Sequence, residues 1–291
     1  MNKCDASGEA SETTAAGWRV ERLSRVGSTN DEARRRALAG DPGRLWMVAR
    51  EQTQGRGRRG RVWKSPPGNL YASALLIDPA PLAIAAQIGF VAGVALCRAV
   101  DDLGGGDDVE LKWPNDLVWR GAKLAGLLAE GTALGDGRSA CIVGIGVNCL
   151  IAPSGLGYAA GALSNALGQA VSPERLFARL APRFEESLIL WRRGEGFAEI
   201  RAQWLERAAG LGAPVRIAGA RGIREGVFET LDERGRLVLR GASGVEAIEA
   251  GEVFLTEEGA GAASAIVQPN ESDVGSREPI VADRPPQKAS I

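Results

Sequence analysis

The sequence predicts an α+β protein in which a larger domain with a mixed sheet is followed by a small C-terminal β-barrel. From Trp18 to about Gly212, helical and strand-like hydrophobic patterns alternate along the chain. After Gly212 the pattern changes to roughly five short strand-like segments that are separated by tight turns. We therefore predict a first domain over residues 18–209 and a barrel over residues 210–258.

The first helix is predicted over residues 28–40, STNDEARRRALAG. Thr29 and Glu32 have the spacing of a capping box, and Gly40 is typical of a residue that follows a helix. A later helix is predicted to begin after Ser172, because a serine cap followed by proline in the first turn is a common helix start.

A long apolar helix is predicted over residues 82–103. The overlapping stretch 79–97 is interrupted by Gln87 and is rich in Ala and Gly, so it is only weakly hydrophobic. These features favour a buried helix over a membrane span.

Strands are predicted where short apolar runs are bounded by turn residues. Arg120 and Gly121 form the predicted turn of a hairpin, and ACIVGIGVNCL is predicted as a central strand. The other strands of the first domain are LWMVAR, NLYASALLI and VELKW. Those of the barrel are PVRIA, REGVFETL, GRLVLR and GVEAIEAGEVFL.

Both ends of the chain are predicted to be disordered. Residues 1–17 are acidic, rich in small residues and without an apolar core, which is unlike a signal or transit peptide. Residues 259–291 contain no aromatic residue and are rich in Pro, Ser, Ala and charge.

Composition excludes several classes of function. The 35 Lys and Arg residues are balanced by 36 Asp and Glu, so the chain lacks the basic excess of a typical nucleic-acid-binding protein. There is no histidine, which excludes every mechanism that needs a His base, a His metal ligand or a Ser-His-Asp triad. The four cysteines have no CxxC spacing and indicate reduced, structural thiols in a cytoplasmic protein.

Residues 51–69, EQTQGRGRRGRVWKSPPGN, concentrate positive charge in a glycine-rich loop that we call the Gly/Arg loop. Its arginines must repel one another unless an anion balances them, and guanidinium groups can fork onto phosphate oxygens. GRGRRG matches a dinucleotide-binding pattern, but the prolines that follow exclude the required helix, and no P-loop sequence occurs. From this segment alone, two other interpretations remain: a solvated basic loop and a contact with nucleic acid.

A second polar cluster lies in residues 112–126, KWPNDLVWRGAKLAG. It places Lys112, Asn115, Asp116 and Lys123 within a strand, a turn and a strand. Each of these residues has an ordinary structural explanation, as a turn residue or a solvated charge.

Together, GRGRRGRVWKSPPGNLYAS, KWPNDL, KLAGLLAE, VGSTNDEA, GIGVNC and AGEVFL resemble the biotin protein ligases, from about Val20 to Leu255. The resemblance implies a catalytic domain of the class II synthetase-like biotin/lipoate ligase fold and a C-terminal SH3-like barrel. It implies that ATP and biotin form biotinyl-5'-adenylate and pyrophosphate. A lysine of the biotin carboxyl carrier domain of acetyl-CoA carboxylase, or of another biotin-dependent carboxylase, then attacks the adenylate.

The resemblance also implies roles for individual residues. Lys123 and Arg58 would act in catalysis, with Lys123 between the biotin carboxylate and the α-phosphate. Asp116 would position magnesium or the incoming lysine, or only anchor its turn. Mg²⁺ would accompany ATP, without an assigned protein ligand. The residues that would bind biotin or nucleotide are Ser28, Thr29, Asn30, Gln52, Gly55, Arg56, Gly57, Arg58, Arg61, Trp63, Lys112, Lys123, Gly126 and Asn148.

The sequence departs from the family pattern in two places, one that concerns DNA binding and one that concerns a contact with ATP. Some relatives carry an N-terminal winged helix that binds DNA, whereas the catalytic pattern here begins by about Trp18. We therefore expect the monofunctional group, with no DNA and no membrane partner, and a homodimer stays open. Some relatives also place an arginine that reaches ATP shortly after the GEV motif, where this chain has Thr256 and acidic residues.

Two alternative functions remain at this point. Lipoate ligases share the fold and the adenylation chemistry, but the Gly/Arg loop together with KWPND favours biotin. An RNA-binding module built from an arginine loop and a barrel would need a surface of stacked aromatic residues, which the scattered Trp and Tyr residues do not predict.

Overall fold

The computed structural model describes residues 10–14, 16–219 and 222–255, and these residues form two β-sheets with helices packed on the larger one. The larger sheet has the strand order β1-β2-β3-β4-β8-β7-β6-β5, with β2 and β3 parallel and the other neighbours antiparallel. Its strands are β1 (Ala10–Thr13), β2 (Arg19–Leu23), β3 (Leu45–Ala49), β4 (Leu70–Ile77), β5 (Val109–Lys112), β6 (Asp116–Trp119), β7 (Ala122–Ala133) and β8 (Ser139–Val147).

The second sheet has five antiparallel strands in the order β12-β11-β10-β9-β13. They are β9 (Pro214–Gly219), β10 (Gly222–Leu231), β11 (Leu237–Gly241), β12 (Gly244–Ile248) and β13 (Glu252–Leu255). The predicted α+β class is therefore confirmed, with two sheets and mixed helix and strand content.

Helices cover both faces of the larger sheet. They are α1 (Thr29–Leu38), α2 (Leu82–Ala85), α3 (Ile88–Asp101), α4 (Leu163–Leu167), α5 (Pro173–Trp191) and α6 (Phe197–Glu206). Helices α3 and α5 pack on one face, over the cluster that contains Trp46 and Phe184, and α1 packs on the other, over Met47 and Leu75. Because β4 is covered on both faces, its sequence is nearly continuously apolar.

The long apolar helix is interrupted near the polar residue that marked it in the sequence. Two helices, α2 and α3, replace the single predicted one, and Gln87 lies between them. The buried Gln87 Oε1 accepts a hydrogen bond of 2.8 Å from Trp191 Nε1 of α5. The stretch Ala83–Asp101 is long and apolar enough to cross a membrane, but 67% of it is buried inside the protein, as a core helix would be.

The predicted capping box at the start of α1 is not formed, which corrects that expectation. The Thr29 backbone N–H and hydroxyl both donate to Gln52 Oε1, at 2.8 and 3.1 Å, and Glu32 pairs with Arg35 and Arg36. A side chain from another segment therefore satisfies the helix start, and it ties α1 to the Gly/Arg loop.

Part of the predicted disordered leader is instead a strand. Residues Ala10–Thr13 pair antiparallel with β2, and Glu12 forms an ion pair of 2.6 Å with Arg22. Residues 1–9 and the predicted disordered tail, 259–291, lie outside the described residues. Cys97, Cys141 and Cys149 are buried free thiols whose pKa values burial raises to about 12, in keeping with structural cysteines.

The turn between β10 and β11 of the second sheet packs against Trp113 and Phe90. Trp113 Nε1 donates a hydrogen bond of 3.0 Å to the carbonyl oxygen of Gly235. Gly235 has a φ of 78°, and an added Cβ would lie 2.6 Å from the Phe90 ring. Only glycine fits this close approach, which brings the start of β13 beside the Gly/Arg loop.

Candidate active site

A cavity of about 800 Å³ lies over β7 and β8, between the N-terminal end of α1, the Gly/Arg loop and the start of β13. Every residue that the sequence assigned to ligand binding or catalysis lines it, except Gly55 and Asn148. Segments far apart in the chain thus meet at one place. The sheet supplies the floor, and the loop and the second sheet supply the walls.

One end of the cavity is a network of buried polar side chains. Ser73 Oγ lies 2.7 Å from Thr29 Oγ1 and 2.6 Å from Asn30 Oδ1. Gln52 Nε2 donates to Ser65 Oγ at 3.1 Å. Ser65 and Ser73 do not line the cavity, but they hold Thr29, Asn30 and Gln52, which do. These three side chains therefore present fixed donors and acceptors to a neutral polar ligand. Ser65 and Ser73 were not identified from the sequence, although a serine inside the apolar strand β4 is a signal of this kind.

Arg56 is neutralised by two carboxylates of the protein. Its Nη1 lies 2.6 Å from Asp31 Oδ2, and its Nη2 lies 3.0 Å from Glu130 Oε2. Glu130 also accepts a hydrogen bond of 2.7 Å from Asn30 Nδ2. Arg56 therefore anchors the Gly/Arg loop to α1 and β7, and part of the charge that predicted a bound anion is balanced internally.

Arg61 is paired in a similar way with the second sheet. Its two terminal nitrogens contact the two oxygens of Glu252, at 3.0 and 2.5 Å. This bidentate pair lowers the pKa of Glu252 and raises that of Arg61, because each charge stabilises the other.

Arg58 differs from both of these arginines. Its Nη1 donates to the neutral Asn115 Oδ1 at 3.2 Å, and within the described part of the chain it pairs with no carboxylate. Burial lowers the pKa of Arg58, and the nearby positive charges of Arg59 and Arg61 add to that effect. Arg58 is therefore a partly buried cation that an anion in the cavity would stabilise.

Lys123 lies at the centre of the cavity wall. Its Nζ is 2.7 Å from Asp116 Oδ1 and 5.6 Å from the ring centroids of both Trp63 and Tyr158. The carboxylate and the two rings hold the ammonium in one place. Tyr158 lies in a Gly/Ala-rich loop with no pattern that could have identified it, and burial together with the charge of Asp116 raises its pKa.

The Trp63 ring packs closely against two glycines of the sheet. An added Cβ would lie 2.6 Å from Trp63 Nε1 at Gly146 and 3.3 Å from the ring at Gly126. Trp63 Nε1 is buried and has no hydrogen-bond partner among the described residues. The glycines of GIGVN and KLAG therefore make room for an aromatic wall that a planar ligand can stack on.

Two assigned residues, Gly55 and Asn148, do not line the cavity, and the ligand contacts predicted for them stay predictions. Asn148 is buried and donates to the carbonyl oxygens of Gly161, at 3.1 Å, and Lys123, at 3.4 Å, so it supports the backbone that carries Lys123. At Gly55 an added Cβ would lie 2.5 Å from both Ser65 Oγ and the Trp63 carbonyl oxygen. Gly55 therefore permits the close folding of the loop.

The described residues contain no group of three or more acidic or cysteine side chains that could hold a metal ion by themselves. Asp116 is nevertheless a carboxylate that lines the cavity. It could share a divalent cation with an anionic ligand, since Mg²⁺ usually keeps only one or two protein carboxylates.

Comparison with known proteins gives matches over both parts of the chain. Residues 24–148 match the biotin/lipoate A/B protein ligase family, and residues 210–256 match the biotin protein ligase C terminal domain. The chain is 42% identical over 243 residues to a biotin--[acetyl-CoA-carboxylase] ligase of Paracoccus denitrificans, a match that covers 80% of this chain and 99% of that protein.

Two further similarities agree with these matches. A bifunctional ligase/repressor of Bacillus subtilis is 30% identical over 235 residues, with 79% of this chain and 72% of that protein covered. A solved structure of biotin protein ligase from Aquifex aeolicus in complex with biotin and ATP superposes with a TM-score of 0.67 at 28% identity, covering 81% of this chain and 97% of that one.

Proposed function

We propose that this chain, which belongs to the biotin/lipoate A/B protein ligase family, is an ATP-dependent biotin protein ligase. It joins biotin and ATP into biotinyl-5'-adenylate with release of pyrophosphate, and it transfers the biotinyl group to a lysine of the carrier domain of acetyl-CoA carboxylase. The observation that carries the proposal is the meeting of Arg58 and Lys123 in one cavity beside a buried polar network and an aromatic wall.

The first step requires a carboxylate to approach a phosphate that is itself negative, so the site must supply positive charge. Arg58 has no carboxylate partner among the described residues, and Lys123 is held in position by Asp116 and two aromatic rings. We assign Arg58 to the reacting anions and Lys123 to the charge that develops in the transition state. No protein nucleophile is needed, in agreement with a chain that has no histidine.

The two ends of the cavity suit the two substrates. Thr29, Asn30 and Gln52 line the cavity and are held by Ser65 and Ser73, so they offer fixed polar groups for the neutral ureido ring of biotin. The Trp63 ring, backed by glycines of β7 and β8, offers a stacking surface for adenine.

Mg²⁺ is the expected companion of ATP, and the donor set of the cavity fits it. Asp116 supplies carboxylate oxygens that line the cavity. When bound together with phosphate oxygens, a magnesium ion neutralises part of their negative charge.

The carrier is proposed to dock along an open edge of β7. Strand β6 pairs with β7 only as far as Gly126, whereas β8 pairs with it as far as Ala133. On the β6 side, the exposed residues Ala129, Gly131 and Ala133 have no strand partner among the described residues. A strand of a carrier domain, or of a second copy of this chain, can add to such an edge.

The remaining assignments concern the domains, the partners and the cellular location. We assign the second sheet to an SH3-like barrel and place the domain boundary at residues 209 and 210, supported by α6 ending at Glu206 and β9 beginning at Pro214. Carrier domains of other biotin-dependent carboxylases are further proposed partners, a cytoplasmic location is proposed, and no DNA partner is expected.

Replacing Gly146 by alanine is expected to weaken ATP binding about tenfold, because the new Cβ would push the Trp63 ring from its place and base stacking contributes about 1–3 kcal/mol. The KM for ATP should rise while the affinity for biotin alone stays the same. Gly106→Ala is the control, since an added Cβ there meets nothing within 4 Å. An unchanged KM for ATP in a folded Gly146→Ala protein would show that Trp63 does not stack on adenine.

The proposed function is tested by incubating the protein with ATP, Mg²⁺, biotin and a purified biotin carrier domain, followed by mass spectrometry of the carrier. We expect one biotinyl group on one lysine, and none when lipoate replaces biotin or when the carrier lysine is replaced. Modification with lipoate alone would assign the chain to the lipoate ligases instead.

A further inference from the structure

Glu252 forms a direct link between the second sheet and the Gly/Arg loop. It is the first residue of β13, and the preceding Gly251 packs where an added Cβ would lie 2.5 Å from Ile217. The backbone at this point is therefore closely packed. From it, the Glu252 carboxylate reaches across the cavity and contacts both terminal nitrogens of Arg61.

Positively charged side chains surround the Glu252 carboxylate. The pKa of Glu252 is lowered first by the hydrogen bonds from Arg61, and further by the charges of Arg61, Lys123 and Lys112. Burial acts in the opposite direction and is outweighed. Three cations that line the cavity, Arg61, Lys123 and Lys112, thus act on one point, and the Glu252 carboxylate occupies that point.

A carboxylate in this place is unexpected if the cavity only had to attract ATP, because it repels a polyphosphate. A guanidinium group, however, binds carboxylates and phosphates with the same forked geometry. A phosphate group can therefore take the place of the carboxylate on Arg61 without any change in how Arg61 donates its hydrogen bonds.

We propose that the Glu252 carboxylate is an internal substitute for a phosphate group, which holds Arg61 in the nucleotide-free protein and yields it to the polyphosphate of ATP. This inference rests on the proposed function, since it takes ATP to be the ligand of the cavity. Glu252 is then a positioning residue: it keeps Arg61 directed into the cavity before ATP arrives, and it lowers the affinity for ATP because it must be displaced.

The exchange also couples the second sheet to nucleotide binding. Once Arg61 binds a phosphate of ATP, Glu252 loses its ion-pair partner and is repelled by the negative charge of that phosphate. The contact between β13 and the Gly/Arg loop is weakened at the moment when the loop gains an anion to close on. Binding of ATP therefore releases a contact between the second sheet and the Gly/Arg loop.

Glu252→Gln tests the proposal, because glutamine keeps the size of the side chain and removes its charge. Binding is measured by calorimetry with α,β-methylene-ATP at saturating biotin, since this analogue keeps the triphosphate charge and cannot release pyrophosphate. We expect the dissociation constant to fall about fivefold, as is typical of a partly exposed ion pair, and the gain to shrink as salt is raised. Biotin affinity and the temperature of unfolding should stay within error.

Glu246→Gln is the matched control in the same sheet, because Glu246 forms an ion pair of 3.0 Å with Arg224 away from the cavity. We expect its affinity for the analogue to equal that of wild type. A similar gain in both variants would mean that only the net charge of the protein matters, and it would overturn the proposal.

A double-mutant cycle with Arg61→Gln separates release of Arg61 from direct repulsion between Glu252 and the phosphates. We expect Glu252→Gln to have a much smaller effect when Arg61 is already absent. An equal effect in both backgrounds, or weaker nucleotide binding by Glu252→Gln alone, would overturn the proposal. Failure of the proposed function is distinguishable, because it would show as absence of biotin-dependent adenylation in wild type.

Discussion

Lys123→Ala is expected to slow adenylate formation by at least about 100-fold, since removal of one preorganised group at a developing negative charge typically costs that much. The effect should fall on kcat rather than on binding. Lys123 Nζ is held by Asp116 and by two aromatic rings, so the free protein has already fixed the position of this charge. Single-turnover formation of biotinyl-5'-adenylate is the measurement.

The control for this variant is Lys64→Ala, which removes a lysine whose Nζ donates to the carbonyl oxygen of Ser154 outside the cavity. It should form adenylate at the wild-type rate. Thermal unfolding and biotin binding establish that Lys123→Ala is folded. A folded Lys123→Ala protein with a near-normal single-turnover rate would contradict the assignment of Lys123 to the transition state.

Arg58→Gly is expected to release biotinyl-5'-adenylate about 10- to 100-fold faster than wild type, because the loss of a hydrogen bond to a charged group costs about 1.5–3 kcal/mol. Its synthesis should slow by less, since Lys123 and Arg61 remain. Among the arginines of the Gly/Arg loop, Arg56 and Arg61 are held by carboxylates, whereas Arg58 contacts only a neutral amide. Arg59 also lines the cavity and has no carboxylate partner among the described residues, but it is exposed to solvent. Arg58 is partly buried and is therefore the arginine with most to gain from the adenylate.

Released adenylate acylates exposed lysines on any protein nearby, so the measurement is biotinylation of a bystander that has no carrier domain. Arg59→Gly is a closely matched control: it is the next residue, it is exposed, and its φ of 56° suits glycine. We expect bystander labelling with Arg58→Gly and none above wild type with Arg59→Gly. Equal labelling by the two variants would show that loop flexibility, and not the Arg58 charge, retains the adenylate.

The segments that build the cavity could be found from sequence because the motifs that resemble the biotin protein ligases lie in short, local stretches. Loops rich in Gly and Arg, a polar turn after a strand and a lysine in a hairpin are visible within a few residues. The α+β class was predictable for the same reason, since periodic apolar patterns report which faces of helices and strands are buried. The continuous apolar run of β4 is one such pattern, and burial on both faces explains it.

What could not be predicted is how charges are paired across distant segments. The repulsion expected among the arginines of the loop is largely relieved by Asp31, Glu130 and Glu252, and no local pattern connects these acids to the loop. The same holds for the capping box of α1, where Gln52 satisfies the start of the helix instead of Glu32. Pairing between segments depends on the fold, so the sequence alone leaves it open.

The roles of small residues in the strands were also difficult to predict from the sequence. Gly126 and Gly146 were recognised as parts of motifs, but their physical role is to accommodate the Trp63 ring on the sheet. Ser73 is marked only as a serine within an apolar strand and Tyr158 by no pattern at all, and the fold brings them beside Asn30 and Lys123. Residues of this kind are identified by what they contact.

The central claim is that this cavity joins biotin to ATP through a mixed anhydride. Exchange of labelled pyrophosphate into ATP tests it most directly, because the exchange requires reversible formation of the adenylate and needs no carrier protein. We predict that exchange depends on biotin and Mg²⁺, is not supported by lipoate, and is lost in Lys123→Ala. Exchange that is absent with biotin, or that occurs equally well with lipoate, would contradict the account.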